Sequence, residues 1–220
     1  MIIHDVEQGT PEWLRLRLGI PTASEFDKIL TPKTLKPSSQ ARGYAFKLIA
    51  EEILGYPVDD LGNLPWIERG KELEPHAAAS YEFETEIETR KVGFITTDDG
   101  RVGASPDRLS NGGGSAVELK CPAPATHIGY LVDGFGADYI LQVQGQMLVG
   151  QFEFVDRYSY HPQLPPVLER THRNETIIRA LDVALREFLE MRDQMMSDLK
   201  ARGFFEEKED ELDRLLKEMA

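Results

Sequence analysis

Between Ser105 and Pro122 the chain reads Ser-Pro-Asp-Arg-Leu-Ser-Asn-Gly-Gly-Gly-Ser-Ala-Val-Glu-Leu-Lys-Cys-Pro. Asp107 precedes a glycine-rich stretch, and Glu118 and Lys120 flank Leu119 after it. On a strand, Val117 and Leu119 face one side while Glu118 and Lys120 face the other. Asn111 and Gly112 to Gly114 favour a positive-φ turn that folds the Asp107 segment back beside Glu118. Two carboxylates and one ammonium are thereby expected to converge at a sheet edge. Asp107, Glu118 and the Leu119 backbone carbonyl are hard oxygen donors. They suit one or two Mg²⁺ ions, with Mn²⁺ as an alternative. An ion held there would activate a water against phosphorus and neutralise a leaving oxygen. Lys120 could position that water, take its proton or stabilise transition-state charge, and the residue types leave the three roles open. The ordinary alternative is a structural ion pair between Lys120 and either acid.

The elements that must position this stretch can be read along the chain. Thr10 and Pro11 fit N-cap and N1 of a first helix, ended by Gly19 and Pro21. Thr22-Ala-Ser-Glu25 fits a capping box opening a short second helix. Its free amides would offer an anion site near Arg17, Ser24, Lys33 and Lys36, the alternative being a capped helix in which Ser24 bonds only locally. Helices follow over about 40–54, stopped by Gly55, and over about 66–86, interrupted by Pro75, with Leu73, Ala77, Tyr81 and Phe83 for packing. Glu68, Glu72 and Glu74 stand at that interruption, where one could turn toward the converging acids. Strands at 92–97, 101–104 and 116–120 read as a meander with a tight turn at Asp98-Asp99-Gly100. A helix over about 136–150 carries Gln142 and Gln146 on one face. Strands at 152–160 and 167–172 are joined by a turn containing Pro162, Pro165 and Pro166. A long amphipathic helix starts near Asn174 and breaks at Gly203.

Composition narrows the chemistry. The 220 residues contain one cysteine, Cys121, which excludes an intramolecular disulfide and sites built on paired cysteines. The five histidines show no tight ligand spacing, so any metal is expected to have oxygen ligands. There is no signal-like start and no apolar run near the roughly eighteen residues of a membrane span, so a cytoplasmic protein is expected. The formal charge is −13 and the pI near 4.9, against a generic nucleic-acid binder. The charge is uneven, however. Residues 28–50 contain no acid and five cations, Lys28, Lys33, Lys36, Arg42 and Lys47, while residues 51–88 contain eleven acids and two bases. A local basic patch on an acidic body stays open, with solvated surface as its alternative.

Several short motifs in order resemble the bacteriophage lambda exonuclease branch of the PD-(D/E)xK nucleases, the phage-type alkaline exonucleases. They are Glu7-Gln-Gly9, Leu16-Arg-Leu-Gly19, Thr22-Ala-Ser-Glu25, Trp66 with Gly70-Lys71 and Glu74, Ser105-Pro-Asp107, Glu118-Leu-Lys-Cys-Pro122 and Gln142-Val-Gln144. The resemblance implies an α/β (α+β) fold with a restriction-endonuclease-like core, a central mixed β-sheet flanked by helices. It implies a single nuclease domain over residues 1–203, with its core at about 66–172, and an acidic helical tail over 204–220. The implied activity is Mg²⁺-dependent, processive 5′–3′ exonuclease action on linear duplex DNA. Mononucleotides would be released and a 3′ single strand left for recombination. Asp107, Glu118 and the Leu119 carbonyl would hold metal, joined by Glu74 directly or through water. Lys120 would act on the water and Gln142 would complete the catalytic set. Arg17, Ser24, Ser105 and Lys33 would grip a 5′-phosphate, with Lys36 and Arg42 on the DNA. The implied partners are double-stranded DNA ends, two further copies in a homotrimeric ring and a single-strand annealing protein. The setting would be the cytoplasm of a bacterial host of a phage or prophage. Two alternatives are a structure-specific or restriction-type endonuclease of the same fold and a catalytically silent DNA-binding recombination scaffold.

Overall fold

The computed structural model describes residues 1–58 and 65–204, and of residues 65–68 the backbone alone. The chain runs β1 (Ile2–His4), α1 (Pro11–Arg17), a 3₁₀ turn (Ala23–Lys28), α2 (Ala41–Leu54), α3 (Pro65–Thr85), β2 (Thr89–Lys91), β3 (Phe94–Thr96), β4 (Gly103–Ala104) and β5 (Arg108–Ser110). It continues through β6 (Ser115–Lys120), α4 (Pro124–Asp133), α5 (Ile140–Gly150), β7 (Phe154–His161), β8 (Leu164–His172) and α6 (Glu175–Ala201). The expected tail lies outside the described residues from residue 205 onward, as does the side chain of Glu68.

The strands form a three-stranded sheet, β1-β3-β4, and a five-stranded sheet, β2-β5-β6-β7-β8. All pairings are antiparallel except β6 with β7, which are parallel and joined by a crossover through α4 and α5. β6 lies in the middle of the larger sheet, so the two acids and the lysine meet near the end of a central strand, not at an edge. The expected meander is one long hairpin split between both sheets. Lys91 pairs with Arg108, and Ile95 with Ala104, in one continuous register, but the ladder lapses between them. Pro106, which has no N–H to donate, sits in that gap.

Both faces of the larger sheet are covered. Val117 and Leu119 pack with Tyr158 against Ala77, Ala78 and Tyr81 of α3. On the other face Ala116 and Val155 join the main core, which α2, α5 and α6 complete. Gly145 lets α5 approach the 3₁₀ turn, because a Cβ there would stand 2.5 Å from the Phe26 ring.

Several expectations are corrected. Phe83 is 87% exposed and leaves the packing to Ala77 and Tyr81. α4 is an additional helix after Pro122, and its Pro124 at the first turn costs no helical hydrogen bond. Pro165 and Pro166 lie inside β8, an edge strand that tolerates missing donors, and not in the turn. α6 follows its expected N-cap, with the Asn174 side chain accepting from the Thr176 and Ile177 amides.

Candidate active site

The glycine-rich turn brings Asp107 back to β6 as its residue types require, with φ of +77° at Gly113 and the Gly113 N–H on the Ser110 carbonyl at 2.9 Å. Arg108 pairs with Val117, and the Asp107 carboxylate then accepts the Leu119 N–H at 2.6 Å. The N–H and C=O of a strand residue point to the same side. The Leu119 carbonyl is therefore directed to the Asp107 side of β6.

Glu118, 3% exposed, is held by three donors. Gln142 Nε2 and Lys120 Nζ each reach Oε1 at 2.6 Å, and Gln146 Nε2 reaches Oε2 at 2.5 Å. The two glutamines stand one helical turn apart on α5, so a single buried helix face orients the carboxylate. Lys120 also rests over the Tyr139 ring, with Nζ 4.4 Å from its centroid. Tyr139 begins α5 with a left-handed φ of +60°, a conformation that a non-glycine residue keeps only when its surroundings require it. Arg157 supports that turn by donating to the Gly136 and Asp138 carbonyls.

The electrostatics follow from burial and crowding. Burial, and then the Glu118 carboxylate, push the Asp107 carboxyl well above its ordinary range, with Glu74 adding to the effect and Lys120 opposing it. Burial works to lower the Lys120 pKa, but the Glu118 and Asp107 carboxylates outweigh it and raise it. Lys120 is therefore an ammonium, a donor and a fixed positive charge. The Cys121 thiol is pushed up to about 11 by burial and by Asp107 and Glu74. Among the described residues no three acid, histidine or cysteine side chains stand ready as a ligand group. The donor set that remains is two carboxylates and one carbonyl. It fits a hard cation that keeps water and substrate ligands, and the depressed ionisation of Asp107 is what such a cation would relieve. Glu74 lines the same cleft as Asp107, with Lys91 Nζ 3.9 Å from its carboxylate.

A second cluster forms around Arg17. Its guanidinium donates to the Ser105 hydroxyl at 3.0 Å and to the Thr22 hydroxyl at 3.4 Å, and Thr22 Oγ1 meets Ser24 Oγ at 3.3 Å. Trp13 lies beneath it, 4.2 Å from the guanidinium carbon to the ring centroid, and donates from Nε1 to Ser105 Oγ at 3.2 Å. Burial lowers the Arg17 pKa, partly offset by Tyr44, Glu25 and Glu51, though a guanidinium stays charged. The capping box does not form. The Thr22 side chain caps nothing, and Glu25 turns away to pair with Lys28 and Lys47. The freed Thr22 hydroxyl joins the arginine instead.

Arg17, Ser24 and Ser105 thus come together as expected, with Thr22 and Trp13 as unforeseen members. Lys33 and Lys36 are exposed in the loop before α2. Arg42 is exposed on α2, its guanidinium carbon 5.2 Å from the centroid of the Phe46 ring. Two of the five basic-segment cations, Lys28 and Lys47, are held by Glu25, so the expected patch is reduced. A cleft of about 1260 Å³ is lined by Arg17 and Thr22 and also by Glu74, Lys91 and Asp107. A groove of about 480 Å³ is lined by Ser24, Tyr139 and Gln142. The Thr22–Ser24 hydroxyl pair lies between the two, next to both clusters.

No curated protein matches the chain by sequence. Residues 12–153 match the model of the YqaJ-like viral recombinase domain. An alkaline exonuclease from Laribacter hongkongensis is similar at 31% identity with a TM-score of 0.79, over 88% of this chain and 98% of that one. Its complex with dAMP is similar at 32% identity with a TM-score of 0.78 over the same shares. A phage-related exonuclease from Haemophilus somnus shares the fold at 15% identity and a TM-score of 0.65, over 82% of this chain and 96% of that one. The structural likeness extends well beyond residue 150, where the sequence motifs stop. This chain belongs to the YqaJ-like viral recombinase family and has the mixed-sheet nuclease fold of the alkaline exonucleases.

Proposed function

We propose that this protein is a Mg²⁺-dependent 5′–3′ exonuclease that removes mononucleotides from phosphorylated 5′ ends of linear duplex DNA. Family and fold make the chain a nuclease, a hydrolase of phosphodiester bonds. The observation that carries the finer reading is that Ser105 faces Arg17 while Asp107, two residues on, faces β6. A phosphate grip and an acid pair are thereby built on one segment. The similar enzyme in complex with dAMP agrees with a nucleotide product.

Arg17 would hold the terminal phosphate by charge-assisted hydrogen bonds, with the Ser105, Thr22 and Ser24 hydroxyls around it. Asp107, Glu118 and the Leu119 carbonyl would hold Mg²⁺, which Glu74 would reach through water. The ion supplies an activated water and charge neutralisation at phosphorus. Gln142 and Gln146 fix the Glu118 carboxylate in place. Lys120, protonated and anchored between Glu118 and Tyr139, would steady the attacking water and the negative charge that develops on the phosphate. Lys33 would assist at the terminal phosphate, and Lys36 and Arg42 would meet the duplex backbone. A homotrimeric ring around the DNA, an annealing partner and a bacterial host cytoplasm complete the reading. Among the described residues no helix is long and apolar enough to cross a membrane.

The test compares linear duplex carrying 5′-phosphate, linear duplex carrying 5′-hydroxyl and covalently closed circular duplex, each in Mg²⁺ and in EDTA. Mononucleotide release from the phosphorylated linear DNA in Mg²⁺, with the circle intact, is expected. Nicking of the circle would favour the endonuclease alternative, and no DNA loss at all the silent scaffold.

A further inference from the structure

The Glu7-Gln8-Gly9 segment lines the cleft without joining either cluster, and Gln8 spans the interruption in the long hairpin. Its side-chain Nε2 donates to the Val92 carbonyl at 2.9 Å and to the Pro106 carbonyl at 3.0 Å. Trp13 makes a parallel tie, from Nε1 to the Gly93 carbonyl at 2.9 Å and to Ser105 Oγ at 3.2 Å. Residues 92–93 and 105–107 are where both strands pass from one sheet to the other, and no ladder bond joins them. Their carbonyls need donors from elsewhere, and the N-terminal segment supplies them. The approach is close: a Cβ at Gly93 would stand 1.9 Å from the Val6 carbonyl oxygen.

We propose that Gln8 is a positioning residue for Asp107, acting through the Pro106 carbonyl. The Pro106 C=O and the Asp107 N–H belong to one planar peptide unit that ends at the Asp107 Cα, so fixing the carbonyl fixes where the Asp107 side chain is rooted and leaves φ and the side-chain torsions to be set from the carboxylate end. Leu119 N–H then holds the far end of that side chain. Gln8 thus secures the backbone end of Asp107 and β6 the carboxylate end. The inference rests on the reading of Asp107 as a metal ligand. On that reading, losing the Gln8 tie loosens the donor set before it loosens the fold, because Gln8 is an exposed residue at the wall of the cleft.

The test uses the full chain and its Gln8→Met and Gln8→Ala variants, with Mn²⁺ binding measured by calorimetry without DNA. Thermal melting and binding of a 5′-phosphorylated duplex in EDTA are measured alongside. Both variants are expected to bind Mn²⁺ about tenfold more weakly, the size of one or two lost hydrogen bonds. Melting and metal-free DNA binding should stay near wild type. Wild-type Mn²⁺ affinity in both variants would overturn the role of Gln8 alone. Absence of Mn²⁺ binding by the wild type would overturn the metal reading, and this inference with it.

Discussion

Arg17 donates to the Ser105 hydroxyl at 3.0 Å, and Ser105 stands on the same backbone segment as Asp107. The residue that would receive a phosphate and the acid that would serve the chemistry are therefore mechanically linked. Arg17 also meets Thr22, so one guanidinium gathers groups from α1, the 3₁₀ turn and the split hairpin.

Arg17→Ala should remove the preference for a phosphorylated end. A charged hydrogen-bonding group is worth about 1.5–3 kcal/mol, so the ratio of rates on 5′-phosphate and 5′-hydroxyl duplex should fall roughly ten- to a hundredfold. Arg17→Lys should recover little, because an ammonium cannot address Ser105 and Thr22 with separate nitrogens. Steady-state digestion of the two substrates checks this, and an unchanged ratio would remove Arg17 from the phosphate site.

Asp107→Asn should abolish nuclease activity, with a loss of at least about a thousandfold, while stabilising the metal-free protein at alkaline pH. The sign follows from the raised Asp107 pKa. A carboxyl that binds its proton more tightly in the folded state costs stability as pH rises from the ordinary carboxylate range up through the raised folded pKa, so metal-free stability should fall across that window and level off above it. Mg²⁺ should restore stability to the wild type and not to the variant. Melting curves from pH 5 to 9, with and without Mg²⁺, decide the point.

Replacing Lys33 and Lys36 together by Ala should weaken duplex binding. Each phosphate contact contributes about one to the slope of log affinity against log salt, so the double variant should lower that slope by about two. Fluorescence anisotropy across a salt series measures it. A slope equal to that of the wild type would leave the loop as solvated surface.

Cys121 reports on the acid pair. With its thiol pushed up to about 11 by burial, Asp107 and Glu74, only on the order of 0.1% is thiolate at pH 8, and alkylation should be slow. A cation held by Asp107 would oppose that field and lower the thiol pKa. Mg²⁺ should then speed iodoacetamide labelling several-fold in the wild type but not in Asp107→Asn, as followed by intact-mass spectrometry.

The acid pair and lysine were legible because a two-residue strand period and a glycine-rich turn leave few ways to arrange them. Asp107 meets β6 as that pattern requires, although pairing with both β5 and β7 makes β6 a central strand. The second glutamine on Glu118 was visible only as a helix-face neighbour of Gln142. Burial of Gln146 depends on the close contact of Gly145 with Phe26, a tertiary fact. The Thr22-to-Glu25 pattern satisfied a capping rule, but Lys28 and Lys47 compete for Glu25 and win. The break at Pro106 was hidden because each half of the hairpin alone has ordinary strand chemistry. Tyr139 carries no local sign of its left-handed backbone, which the Arg157 anchors to the preceding turn support.

The split hairpin also has a metric consequence. Two residues of extended chain reach at most about 7 Å, so the Cα atoms of Ser105 and Asp107 cannot separate by more than that however the rest of the molecule shifts. That span is comparable to the step from one phosphate to the next along a single strand of DNA. With the terminal phosphate at Ser105 and the next one at Asp107, the protein backbone itself would act as a ruler one nucleotide long. Backbone geometry would then bound the length of each bite independently of the sequence being cut, with the Ser105 and Asp107 side chains adding their own short reach.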